Sequence, residues 1–205
     1  MNVSPTLRDV TGLDNTLPRL GETTLILIDF QNTYRTGVMA LDGAGPALAA
    51  GARLLAAARS AGTPVVHVIH DGGEGTPYDI RAEIGAISAE VAPVDGEPVV
   101  VKGFPNSFHQ TDLEETLRAL DAGPDLVLAG FMTHMCVAST AQGAFNLGYR
   151  PTVVAEATAT RSLAAPDGST VPAAALKTAS LTTIADLFGT VAPTVEHLTA
   201  GWLTG

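Results

Sequence analysis

Short, uninterrupted apolar runs, separated by alanine-rich stretches of helical spacing, constrain this chain more than any other feature. Thr24 is followed by Leu25-Ile26-Leu27-Ile28 and closed by Asp29, the pattern of a strand covered on both faces, as parallel strands between helices are. The pattern returns at Pro64 to Ile69, Pro98 to Val101, Asp125 to Ala129 and Pro151 to Val154, with a weaker copy at Thr190 to Val191. Helical spacing fills Pro46 to Ala61, Leu113 to Ala122, Cys136 to Leu147 and Ala173 to Phe188. Gly62-Thr63-Pro64, Gly123-Pro124 and Gly148-Tyr149-Arg150-Pro151 each put Gly where a helix ends and Pro before the next strand. This alternation predicts an α/β fold, a doubly wound, mostly parallel six-stranded sheet with helices on both faces in a Rossmann-like three-layer arrangement.

A chain of 205 residues suits one large domain, which can bury a full core without staples. The expected division is an N-terminal arm over residues 1–22, where no period is visible, and a single domain over 23–205. One cysteine rules out an intramolecular disulfide and any zinc site needing two thiolates from one subunit, and it points to a reducing, cytoplasmic setting. A formal charge of -10 opposes phosphate backbones and anionic lipid, so no nucleic acid partner is expected. Met1 to Leu20 lack an apolar signal core, and no run approaches the ~18 apolar residues of a membrane span, so neither secretion nor insertion is expected. A mean hydropathy of +0.25 is high for a small monomer and predicts a homo-oligomer.

Ligands of such sheets bind outside the carboxyl ends of the strands, and three of those ends carry reactive types. Asp29 ends the first strand. By itself it reads either as a turn cap for Gln31 or Asn32 or as a site carboxylate. Lys102, one of only two lysines, follows the third strand and reads either as a solvated strand-end charge or as a site cation. Cys136 lies beyond the fourth strand, at the start of a helix. There the positive end of the helix dipole is expected to lower its pKa, unless it is simply a small buried hydrophobe. The glycine-rich stretch Asp71-Gly72-Gly73-Glu74-Gly75-Thr76-Pro77 comes directly after the strand ending at His70 and is expected to form a wall or lid. Gly43-Ala44-Gly45 and Gly72-Gly73-Glu74-Gly75 lack the rest of a nucleotide-binding fingerprint, so no cofactor is expected.

Three segments together carry a resemblance: Leu25-Ile26-Leu27-Ile28-Asp29-Phe30-Gln31-Asn32, Val100-Val101-Lys102-Gly103-Phe104-Pro105-Asn106-Ser107-Phe108, and Gly130-Phe131-Met132-Thr133-His134-Met135-Cys136-Val137. In content, order and spacing they resemble the three signatures of the isochorismatase-like cysteine hydrolase superfamily, over roughly residues 22–191. The resemblance implies an Asp29-Lys102-Cys136 triad. Asp29 takes the thiol proton, Lys102 orients and stabilises the charged pair, and Cys136 attacks a carbonyl to give a thioester that water then cleaves. It also implies a cis peptide at Phe131-Met132 and an oxyanion hole built from the Met132 and Cys136 amides.

The implied reaction is cleavage of a C-N bond in a small amide-type substrate. The alternatives are vinyl ether hydrolysis with release of pyruvate, as in isochorismatase proper, and a catalytically idle binding protein of the same fold. Nicotinamidases of the superfamily bind metal through an Asp-x-His motif, and this chain has none, so no metal is expected. His67 and His70 stand three apart on one strand and point to opposite faces. His67 is expected in the core and His70 at the pocket. Phe30, Tyr34, Phe104, Phe108 and Met132 fall near the signature segments and are read either as pocket lining or as ordinary core. His134 stays without a catalytic role.

Overall fold

A computed structural model describes residues 3–199. The chain opens with a five-residue helix α1 (Leu7–Thr11), capped by the Thr6 hydroxyl. Its first amide donates to Asp186 Oδ1 at 2.9 Å, so residues of the expected arm fold back on their own chain. Next come β1 (Thr24–Ile28), α2 (Ala44–Ser60), β2 (Val65–His70), β3 (Val99–Lys102), α3 (Leu113–Ala119), β4 (Asp125–Phe131), α4 (Ala138–Asn146) and β5 (Arg150–Ala159). A two-stranded hairpin of β6 (Leu163–Ala164) and β7 (Thr170–Val171) leads to α5 (Ala173–Thr183), β8 (Thr190–Ala192) and α6 (Glu196–Thr199).

Six strands pair in the order β3-β2-β1-β4-β5-β8, every pairing parallel, as the apolar runs predicted. The strand order reverses between β1 and β4, and in open sheets of this kind the ligand crevice forms at that point. One core layer packs α2 and the residue 89–91 turn against Leu25, Leu27, Val127 and Ala129; the other packs α3 and α4 against Ile26, Ile28, Val100 and Leu128. The expectation of two covered faces fails at β3. Val100 and Lys102 are buried while Val99 and Val101 are about half exposed, because β3 is the edge strand and only its α3 side is covered. Among the described residues no helix is long and apolar enough to cross a membrane.

Two local devices set the height of the strands around the crevice. Gly130, at φ 138° in β4, lies against β1 so closely that an added Cβ would stand 1.9 Å from the Ile28 carbonyl oxygen. Only glycine allows that approach. Glu97, in the loop before β3, accepts two 2.8 Å bonds from Arg59 of α2 and one of 3.1 Å from the Val94 amide, and it lies 2.9 Å from His67 Nε2. Burial holds His67 below its ordinary pKa, so its neutral ring donates Nε2–H to Glu97. This cluster, buried as expected for His67, ties α2, β2 and the approach to β3 together.

The Arg59 bonds, with those of His67 and Val94, hold the Glu97 carboxyl down at about 2 from its ordinary 4.5. A depressed carboxylate stabilises the fold above its unfolded pKa and loses that contribution as pH falls toward the folded value. After solvent screening the effect amounts to about 1–2 kcal/mol. Urea unfolding at pH 7 is therefore expected to show Glu97→Gln less stable than wild type. The gap should narrow steadily between pH 4.5 and 2; a gap independent of pH refutes the assignment.

Candidate active site

Asp29, Lys102 and Cys136 come together at the carboxyl edge where β1, β2, β3 and β4 meet. Past Ile28 the chain turns out of the sheet. The Asp29 amide still donates to Val68 O of β2 at 2.9 Å, and its backbone takes φ 51°, a left-handed conformation that aspartate tolerates better than most residues. The Gln31 amide donates to the Asp29 main-chain oxygen at 2.7 Å. The carboxylate is thus not spent on a turn cap; its Oδ2 lies 2.8 Å from Lys102 Nζ. Lys102 faces His70 across the β2–β3 ladder, and the alternation of β3 turns it inward with Val100. Its Nζ also reaches Cys136 Sγ at 3.3 Å and His70 Nδ1 at 3.4 Å. Among the described residues the Asp29 oxygens have Lys102 as their ion-pair partner, and they face the Cys136 thiol.

The three groups are almost sealed. Asp29 and Lys102 are 0% and 1% exposed, and Cys136 keeps 6%. Burial opposes charge on Lys102, but Asp29 and Cys136 outweigh it and hold the lysine above its ordinary value. At this depth the paired charge is far more stable than a lone one. For Cys136 the balance runs the other way. Burial first, then the Asp29 charge, push its thiol up to about 12, and Lys102 only partly offsets them. The lowered pKa expected from a helix start is therefore corrected: the resting site holds a thiol beside a carboxylate. Cys136 sits within a single π-helical turn, Thr133–Val137, ahead of α4 rather than in the first turn of an α-helix. In that turn the Met132 carbonyl accepts from Met135 and Val137, at 3.0 and 3.2 Å, and passes over the Cys136 amide. The Phe131–Met132 peptide is cis.

The predicted pocket residues divide. Tyr34 is buried, and its ring meets Tyr78 at 5.8 Å and Phe131 at 5.5 Å. Burial, then the charges of Asp29 and Cys136, raise its pKa, which places it at the site. His70 touches both Lys102 and Tyr78, with ring centroids 5.2 Å apart for the latter. Phe30 is corrected to core: its ring packs on Phe131 and fills the space above Gly51 of α2, where an added Cβ would come within 2.6 Å of it. Phe104 lies half exposed against His109, and Phe108 stacks on Tyr149, at the amino end of β5. The loop after β3 that carries both runs along α4, with the Ser107 and Asn106 side chains against Thr140 and Gly143.

Two contributors, Gln31 and Tyr78, receive no site role from the sequence, and His134 receives no catalytic one. Gln31, fully buried, donates to the His70 and Gly85 carbonyls at 3.0 and 2.7 Å and accepts from the His70 amide at 3.1 Å, fixing the ends of β1 and β2 relative to each other. Tyr78, on the loop after β2, stands where Cys136 and Asp29 both act on its hydroxyl. His134 bonds Thr160 Oγ1 at 2.5 Å through Nδ1. Gln31, two residues beyond a strand-end Asp, and His134, two before the cysteine, had a positional signal; Tyr78 had none. Among the described residues no three His, Cys, Asp or Glu side chains converge as a metal site. A crevice bounded by Arg8, Arg19, Asp125 and Arg150 opens at the amino ends of β4 and β5, the opposite edge of the sheet, and has no part in this chemistry.

Residues 23–195 match the Isochorismatase domain family. The fold superimposes on an isochorismatase (PP1826) from Pseudomonas putida KT2440 with a TM-score of 0.90 at 41% identity, covering 95% of this chain and 99% of that one. The secreted isochorismatase effector Isc1 of Verticillium dahliae is 31% identical over 90% of this chain and 94% of its own. The ureidoacrylate amidohydrolase RutB of Stutzerimonas stutzeri is 31% identical over 68% of this chain and 71% of its own. With the family match spanning most of the chain, the chain belongs to the isochorismatase family and is a hydrolase.

Proposed function

We propose that the protein hydrolyses a C-N bond of a small amide-type substrate through a thioester on Cys136. The observation that carries this reading is the sharing of one buried ammonium: Lys102 Nζ lies 2.8 Å from Asp29 Oδ2 and 3.3 Å from Cys136 Sγ. As sulfur attacks the carbonyl carbon, its proton passes to Asp29, and Lys102 offsets the charge on both groups. The Met132 amide, which has no backbone acceptor among the described residues, and the Cys136 amide supply donors for the developing oxyanion. Collapse of the adduct breaks the C-N bond, and the Asp29 proton leaves with the amine. Water, deprotonated by Asp29, then attacks the thioester. The new acid departs, and sulfur recovers its proton. The amidohydrolase activity in the name of the Stutzerimonas stutzeri relative supports C-N chemistry.

Tyr34, Tyr78 and His70 flank the approach to sulfur in this reading. A cytoplasmic location is part of it, supported by the single cysteine, although the Verticillium relative is secreted. A homo-oligomer is part of it too. The half-exposed Val99 and Val101 of edge strand β3, with Phe104 beside them, support a covered face in solution, and light scattering that returns a monomer mass rejects it.

Incubation with primary amides is expected to release ammonia and to leave a Cys136 acyl adduct visible by mass spectrometry. Cys136→Ala should abolish both, and Asp29→Asn should lower kcat roughly 10²- to 10⁴-fold, the usual range for a positioned proton-transfer group. Ammonia release that persists in Cys136→Ala refutes the thioester; intact amides together with pyruvate release from an enolpyruvyl ether offered in their place assign the vinyl ether reaction instead. The raised thiol pKa gives a second outcome. In the free enzyme, iodoacetamide is expected to alkylate Cys136 slowly at pH 7, with a rate still climbing at pH 10. A plateau near neutrality would mean a standing thiolate and would overturn the role given to Asp29.

A further inference from the structure

Beyond the triad, the end of β5 brings a second cation to the same edge of the sheet. Pairing of β4 with β5 jumps from Leu128↔Val153 to Gly130↔Thr158, so the intervening β5 residues bulge out and the strand ends with Ala159 opposite Phe131. Such a bulge re-aims the residues beyond it. Thr160 is then held twice: its carbonyl accepts from the Asp42 amide at 2.9 Å, and its hydroxyl meets His134 Nδ1 at 2.5 Å. Arg161 therefore leaves a fixed backbone next to the turn that carries Cys136.

The side chain of Arg161 stands out among the arginines. Arg35, Arg53, Arg59, Arg81, Arg118 and Arg150 each reach a carboxylate. Arg161 is half-buried, its Nε is fully enclosed without a hydrogen-bond partner, and no carboxylate lies within ion-pair distance among the described residues. Asp42, the acid that pairs with this segment, is bonded instead to Ser162 Oγ at 3.2 Å. A buried guanidinium N–H left unmatched is costly unless something else supplies the acceptor. The charge also acts across the site. It adds to burial in lowering the pKa of His134, and it acts on Tyr78, whose hydroxyl is influenced by Cys136 as well.

We propose that Arg161 is the specificity-determining residue of this site and receives a carboxylate at the end of the substrate remote from the bond that breaks. The guanidinium fork matches a planar carboxylate with two parallel N–H donors, which a neutral group cannot equal. The natural substrate is then the amide of an acid, a single negative charge positioned by Arg161 while its amide carbon faces Cys136. This rests on the hydrolytic reading above.

Two measurements separate the two ideas. In the first, ammonia release is compared for succinamic acid and butyramide, equal in length and differing in the carboxylate. Wild type should favour the acid in kcat/KM by roughly 10- to 100-fold, the range of a charge-assisted bond. Arg161→Gln should erase that preference, chiefly through KM, and Arg161→Lys should keep part of it. Equal rates on the two amides in wild type overturn the proposal even if a variant fails to fold. In the second, butyrate is added before iodoacetamide at pH 9, and Cys136 alkylation is followed by mass spectrometry. Protection in wild type that is lost in Arg161→Gln supports the anchor even if neither amide is cleaved, an outcome that would instead count against the hydrolytic reading. Protection that is absent, or equal in both proteins, overturns the anchor.

Discussion

One buried ammonium organises the carboxyl edge of this sheet. Lys102 is fully enclosed, and its 2.8 Å contact with Asp29 is what allows two charges to remain there. Removing one partner of such a pair typically costs about 3–5 kcal/mol, because the other is left charged and unsolvated. The position of that nitrogen depends in turn on the register of β2 against β3. A slip by one residue would turn Lys102 out to the half-exposed face occupied by Val99 and Val101 and send a valine into the site. The Glu97 cluster, which ties β2 and the approach to β3 to α2, thus bears on the site from the far end of the same strands.

The backbone completes what the lysine begins. β1 and β4 approach closely only because Gly130 has no side chain to meet the Ile28 carbonyl. Immediately beyond that contact the two chains diverge, β1 through the left-handed Asp29 and β4 through the π-helical turn at Thr133. Carboxylate and thiol then point back toward each other across the switch point. Gln31 holds the divergence open by bonding main-chain groups of two other segments, so the site is framed by backbone as much as by its reactive side chains.

The features readable in the sequence were those set by period and by residue type. Apolar runs located all six strands of the main sheet, since a strand buried on both faces admits few polar residues, and three reactive residues at strand ends marked the site. Proximity to a signature in sequence did not by itself decide where a side chain packs. Phe30 alternates away from Asp29 into the α2 layer, and Phe104 and Phe108 lie on a loop whose path is set by contacts with α4. The half-exposed face of β3 depends on which strand is at the edge, an order no local pattern encodes. Arg161 was invisible for a related reason: a bulge that breaks the ladder decides where it ends up, and an arginine in a loop has no sequence mark that separates it from the eight others.

The raised thiol pKa has a chemical logic that a standing thiolate would lack. An amide nitrogen is a poor leaving group until it is protonated, so the reaction proposed above needs an acid at the moment the adduct collapses. If sulfur rested as thiolate with its proton lost to solvent, Asp29 would meet the adduct as a bare carboxylate with nothing to give. In the proposed amide hydrolysis, burial and the Asp29 charge keep the proton on Cys136 until attack begins, so the proton that leaves sulfur is the one that nitrogen receives. Lys102, 2.8 Å from one group and 3.3 Å from the other, stays charged throughout and stabilises whichever of the two is anionic, so the proton crosses between them without a large change in the field around it.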